Sequence, residues 1–160
     1  MKIMIAAVGR LKDGGEQQLF DRYATRFNAG GKALGLGPID LREMVESRKP
    51  DAMQRKSDEA ARLLACCPDR AARIVLDERG RPEDSVAFAA RIAAIRDGGA
   101  PTLAFLLGGP DGHGDDAFAG AAFRLSLGAM TLPHGLARVI LAEQLYRATA
   151  ILSGHPYHRG

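Results

Sequence analysis

Long hydrophobic runs are missing from this chain. No window approaches roughly 18 uncharged apolar residues, which excludes a membrane-spanning helix. The amino terminus has only a short apolar stretch before Arg10, too short for a secretory signal core, and it reads as a first β-strand. Cysteine is scarce: there are two, Cys66 and Cys67, side by side at the end of a helical pattern where neighbouring side chains diverge. Neither a structural disulfide nor a two-cysteine metal pair is expected from them, and a reducing compartment, the cytoplasm, fits. Lysine is also rare, five against seventeen arginines. Arginine presents a planar fork to phosphate and stacks on bases, so a nucleic acid is an admissible partner. The 27 alanines allow a second reading, a bias of base composition. The net charge of +3 permits a polyanion without demanding one.

Several chemical signatures are absent as well. No GxGxxG follows the first strand and no GK[ST] occurs, which removes support for classical dinucleotide binding and for nucleoside triphosphate hydrolysis. There is no GxSxG, no paired-carboxylate motif and no zinc-deaminase signature. No internal repeat, low-complexity tract or long linker divides the 160 residues, so residues 1–160 read as one domain. With 46% hydrophobic residues the chain has enough apolar material for a core, which excludes disorder over its whole length.

What is present alternates between two periods. Apolar, β-rich runs predict strands at Lys2–Val8, Pro38–Met44, Ala72–Leu76, Thr102–Leu107 and Arg124–Gly128. Helical spacing predicts helices at Glu16–Phe27 (capped by Asp13), Asp51–Cys66, Ser85–Asp97, a short one near Asp116–Phe123, and Gly135–Leu152. Asn28–Gly37 reads as a glycine-rich break. The alternation implies an α/β fold, a mainly parallel sheet between helices. Ligands of such sheets bind beyond the carboxyl ends of the strands. Three strand-end loops, Asp77–Gly80, Gly108–Gly112 and Gly128–Pro133, would then share one pocket.

Three segments carry candidate chemistry. GGPDG, Gly108–Gly112, allows close backbone approach and can cradle a ligand through its amides, or it is only a tight turn. Leu125–His134 is mostly apolar but broken by Gly128 and Pro133, and it either lines the face of an adenine ring or packs a bend in the core. The closing HPYHR, His155–Arg159, puts two imidazoles, a phenol and a guanidinium within five residues. Its rings can stack on a base and its arginine can hold phosphate, or it is a solvated tail. His134, His155 and His158 could also ligate zinc, but no fixed third ligand is evident, and no metal is expected. Glu143 and Arg147 form an ordinary i,i+4 pair. Asp111, His113 and the adjacent acids leave a small-molecule enzyme as a further reading.

Taken with AVG at Ala7–Gly9, LDERG at Leu76–Gly80 and the run Ser126–Ala148, these segments resemble the SPOUT methyltransferases. Within them the match is to the bacterial family that methylates pseudouridine in large-subunit ribosomal RNA. The resemblance covers the chain from end to end, with departures at Gly135 and Gly160. It implies a deep trefoil knot over approximately residues 72–160, S-adenosylmethionine as cofactor, and a homodimer. It further implies methylation at N3 of a pseudouridine in helix 69 of 23S rRNA on the assembled 70S ribosome. By the same resemblance the cofactor pocket falls on Leu76, Gly108, Leu127, Gly128, Ala129, Met130, Thr131 and Leu132. Tyr157, His158 and Arg159 become the catalytic residues, with Arg138 and His155 contacting RNA.

Overall fold

The computed structural model describes residues 1–157. Five parallel strands form one sheet in the order β2-β1-β4-β3-β5. They are β1 (Lys2–Val8), β2 (Ile39–Met44), β3 (Ala72–Pro82), β4 (Thr102–Leu107) and β5 (Phe123–Ser126). Three helices connect strands, α1 (Gly15–Gly31), α2 (Ala52–Ala65) and α3 (Ser85–Asp97), and a fourth, α4 (His134–Ser153), follows β5. The continuous apolar sequence of β4 is explained by its place: every residue from Thr102 to Leu107 is buried, covered on both faces.

Alternation along the strands sends side chains to two separate cores. Ile3, Ile5, Ile74, Leu103 and Phe105 face α1, α3 and α4 through Phe20, Phe27, Phe88, Ile92 and Leu141. Met4, Ala6, Val75, Ala104 and Leu106 face the other way, onto Leu63 of α2 and the segment around Phe118. Asp51 caps α2 by accepting from the Gln54 amide at 2.9 Å, and Asp84 caps α3 by accepting from the Ala87 amide at 2.7 Å.

Four expectations are corrected. Asp13 does not cap α1, whose N-cap is Gly14 with no side-chain bond. The helix runs through Asn28 to Gly31, because Phe27 and Gly31 are buried and packing outweighs the weak helix propensity of Asn and Gly. Asp77–Gly80 is no simple turn: β3 continues to Pro82, pairing with β5 again at Arg81 after a register shift that follows Leu76. A Cβ at Gly80 would lie 2.6 Å from the Leu125 carbonyl carbon, so glycine is what lets this segment lie against β5. Finally, Cys66 and Cys67 do not diverge. Both thiols donate to the Leu63 carbonyl, at 3.1 and 3.4 Å, because Cys67 lies past the helix end.

Candidate active site

All five strands run the same way, so their carboxyl ends share one edge of the sheet. At that edge, beyond β3, β4 and β5, a cavity of about 540 Å³ opens. Its walls are the three strand-end loops: Leu76–Arg79, Leu107–His113 and Leu127–Leu132. A volume of this order suits a nucleoside-sized ligand. Leu76, Leu127, Leu132 and Ala137 are among its apolar lining residues, and Asp77, Asp111, His113, Arg124 and Thr131 among its polar ones.

The turns are held from behind by ion pairs and close packing. Arg55 of α2 donates to both carboxylate oxygens of Asp111, at 2.6 and 3.3 Å, which ties GGPDG to the helix and holds the Asp111 carboxyl below the usual range. Arg124 donates to Asp77 at 2.7 Å. Burial works against the Asp77 charge, but Arg124 and the Arg79 amide outweigh it and keep that carboxyl ionised. Behind Gly109 lies Glu59, only 3% exposed; its Oε1 accepts from the Ser47 amide at 2.8 Å. A Cβ at Gly109 would approach the other Glu59 oxygen to 2.6 Å. His113 is buried between the β3 and β4 ends. Its Nε2 is 3.0 Å from the Gly108 amide nitrogen and 2.9 Å from the Leu76 carbonyl oxygen. Burial pushes the imidazole below its ordinary pKa, which keeps it neutral.

Of the eight residues assigned to the cofactor, Leu76, Gly108, Leu127, Gly128, Met130, Thr131 and Leu132 line the cavity, whereas Ala129 is exposed beside it. The contributions of Lys56, His113, Arg124 and His134 to the wall went unassigned. His113 and His134 adjoin the strand-end motifs, while Lys56 of α2 and Arg124 of β5 are brought in by the tertiary fold.

The tail residues are elsewhere. Tyr157 packs on α4, 4.5 Å between ring centroids from Tyr146 and with the Arg147 guanidinium 4.9 Å from its ring. Its hydroxyl donates to Glu143 Oε1 at 3.1 Å. Burial, and then the Glu143 carboxylate, push the phenol up to about 12. Tyr157 is not among the residues that line the cavity of its own chain. His155 is exposed, and its Nδ1 accepts from the Tyr157 amide at 3.2 Å. His158 and Arg159 lie outside the described residues.

The expected RNA contact at Arg138 is corrected. The side chain is 1% exposed. It donates to Glu43 at 2.6 Å and to the carbonyls of Val8 and Gly9 at 2.7 and 2.9 Å, bridging α4 to the end of β1. Its partners lie 95 to 130 residues away in sequence, so no local pattern shows its burial. Among the described residues, no group of three or more His, Cys, Asp or Glu is gathered as for a metal ion.

A family model described as "Predicted SPOUT methyltransferase" matches residues 1–158. The chain belongs to the SPOUT methyltransferases. Among members of the family, a protein named ribosomal RNA large subunit methyltransferase H from Xanthobacter autotrophicus is 51% identical over 159 residues, 99% of each chain. Proteins of the same name from Bartonella bacilliformis and Rhodopseudomonas palustris are 47% and 44% identical, over 99% of each chain. Among solved structures, the SpoU methyltransferase AviRb from Streptomyces viridochromogenes, in complex with AdoMet, matches with a TM-score of 0.39 at 15% identity. That match covers 92% of this chain and 59% of AviRb. No helix among the described residues of this SPOUT chain is long and apolar enough to cross a membrane.

Proposed function

We propose that this SPOUT protein is an rRNA methyltransferase of the large ribosomal subunit that uses S-adenosylmethionine. Its target on this reading is N3 of a pseudouridine in helix 69 of 23S rRNA, on the assembled 70S ribosome in the cytoplasm. The observation that carries the reading is the cavity. It is built from the three strand-end loops, and it lies in a chain that matches the curated large-subunit rRNA methyltransferases over their whole length.

The donor set fits the cofactor. Apolar faces at Leu76, Leu127 and Leu132 suit a purine ring, and the glycine-rich turn Gly108–Gly112 lets the ribose and amino-acid part of the ligand approach the backbone closely. A bound S-adenosylmethionine supplies an electrophilic methyl carbon on a sulfonium. The protein's own task is to hold the acceptor nitrogen in line with that carbon and to remove the N3 proton. Tyr157 is no base, because its phenol titrates far above neutrality. His158 takes the proton, a role that imidazole chemistry suits. Arg159 stabilises the developing anion at a ring carbonyl, and Tyr157 orients the base by stacking. His155, exposed at the start of the tail, contacts the RNA.

The active form on this reading is a homodimer. Within one chain Tyr157 sits on α4 and away from the cavity, so a site that unites tail and cavity draws on two chains. The outward face of α1 and α4 supports this with exposed Leu19 and Leu136 and half-buried Tyr23 and Tyr146. A trefoil knot over approximately residues 72–160 completes the reading. Its support is the chain path. From β4 the chain crosses β3 on the α2 side to reach β5, then returns as α4 on the opposite side, against α1 and α3.

The test is transfer of labelled methyl from S-adenosylmethionine to 70S ribosomes that lack the helix 69 methyl group, with the product nucleoside mapped by mass spectrometry. Separated 50S subunits and naked rRNA run beside them. The expected product is N3-methylpseudouridine in helix 69, formed on 70S particles; incorporation at another nucleoside or into tRNA would overturn the assignment of the target.

A further inference from the structure

Cys66 and Cys67 stand at the end of α2, about 15 Å along the helix from Lys56 on the cavity wall. They are the only cysteines of the chain, and nothing in the proposed reaction uses them. In a continuing helix adjacent side chains point roughly 100° apart. Here the helix stops between them. Cys66 caps α2 in helical backbone, Cys67 follows outside it, and Pro68 bars another turn. Both thiols turn back to one acceptor, the Leu63 carbonyl, at 3.1 and 3.4 Å. Two sulfurs that share one oxygen stand side by side and not on opposite faces.

The surroundings favour thiolate chemistry. Hydrogen bonding from the Cys67 thiol lowers Cys66 to about 7, and the Arg42 guanidinium helps. Cys67 keeps the shared proton and is pushed up by it, with burial adding to the rise and Arg73 and Arg42 opposing it. Both side chains are partly exposed, so a small molecule can reach them. A partly open, electropositive setting is that of a reactive cysteine.

The donor set limits the occupant. Among the described residues, no third His, Cys, Asp or Glu joins the pair in a group that could hold a metal ion. Structural zinc, which takes four protein ligands, is left short. A soft centre satisfied by two thiolates is matched.

We propose that Cys66 and Cys67 form a two-thiol binding site for a thiophilic centre of the trivalent arsenic class, held by both sulfurs at once. The step is a condensation. An arsenoxide forms two As–S bonds, its oxygen leaves as water with the two thiol protons, and arsenic keeps its oxidation state. The Leu63 carbonyl loses both S–H donors, which costs little because thiols donate weakly.

Phenylarsine oxide is the probe. Titrated into the folded protein, one equivalent should block both thiols, counted with an aromatic disulfide reagent, and the intact mass should show a single phenylarsenic bridge. Dimercaptopropanol should release it and mercaptoethanol should not. Cys66→Ser and Cys67→Ser each leave one sulfur, and binding should weaken at least about a hundredfold through loss of the second attachment. Adjacent cysteines of an unfolded chain can also close on arsenic, so melting reads the share of the fold. A site already formed in the native protein raises the melting temperature of the adduct, and neither serine variant shows the rise. A lowered melting temperature means that arsenic binds by opening the end of α2, and overturns the inference. Two equivalents bound per chain, no adduct on the folded protein, or serine variants that bind as tightly as wild type overturn it as well.

Discussion

Arg138 and Tyr157 show how far a residue's surroundings decide what it does. Arg138 has the composition of a phosphate contact and the burial of a core residue. Its guanidinium holds Glu43 and two β1-end carbonyls; removing it leaves the Glu43 charge with only the Leu11 amide and takes a donor from both carbonyls. We expect Arg138→Ala to destabilise the fold by about 3 kcal/mol, as loss of one partner of a buried pair does. Calorimetric melting checks this; an unchanged melting temperature with weakened helix 69 binding would return Arg138 to the RNA surface. Tyr157 is read through its titration. Its folded pKa of about 12 lies above the ordinary phenol value of 10. The folded state therefore holds the proton more tightly than the unfolded chain. The stabilisation is fully present below pH 10 and is lost as pH rises from 10 toward 12. Melting temperatures of wild type and Tyr157→Phe should thus differ by a constant amount up to about pH 10 and converge above it. A difference that does not change with pH would contradict the raised phenol pKa that burial and the Glu143 carboxylate produce.

Among the elements, the long strand β3 does most to shape the site, and it does so through glycine. Gly80 faces backbone of β5 and not a movable side chain: its Cβ would stand 2.6 Å from the Leu125 carbonyl carbon and 2.8 Å from the Ser126 nitrogen. Gly80→Ala should push residues 77–82 off β5 and destabilise the chain by about 2 kcal/mol, within the range for overpacking. Because Asp77–Arg79 wall the cavity, cofactor affinity should fall with it. A urea midpoint and a binding isotherm on the same variant read both effects, and an unshifted midpoint would contradict the packing argument. The same strand marks where sequence reading stops. β1, α3 and β4 have the bounds that their apolar periods predict, because each is decided by its own residues and local caps. The second half of β3 is DERGRP, polar and turn-like, and becomes strand only because β5 lies alongside, more than forty residues later. That the loops after β3, β4 and β5 share one cavity was legible because strand ends and glycine breaks announce themselves, whereas the single residues were named only through the family resemblance. His113 was visible only as a polar loop residue, since nothing local shows that it reaches back to Leu76.

At the scale of the whole molecule, the question is whether one chain contains one complete site. The cavity and Tyr157 occupy different parts of the described chain, one at the carboxyl edge of the sheet and the other on the second half of α4. If tail and cavity act between chains, defects in the two are complementary. We expect His158→Ala, which removes the proposed proton acceptor, and Leu132→Arg, which puts a long cation into the cavity, to be nearly inactive alone. Mixed in equal amounts and allowed to exchange subunits, they form mixed dimers as about half of the population. Each mixed dimer has one doubly defective site and one intact site, so activity should return to about a quarter of wild type. Sites built within a single chain predict no recovery, because every chain then carries its own defect. His158→Ala alone should bind S-adenosylmethionine as wild type does while single turnover slows by about a hundredfold, the lower range for general-base catalysis. An unchanged single-turnover rate would take the proton acceptor away from His158. The mixing experiment would then need a tail variant that is itself inactive, and Arg159→Ala would take the place of His158→Ala.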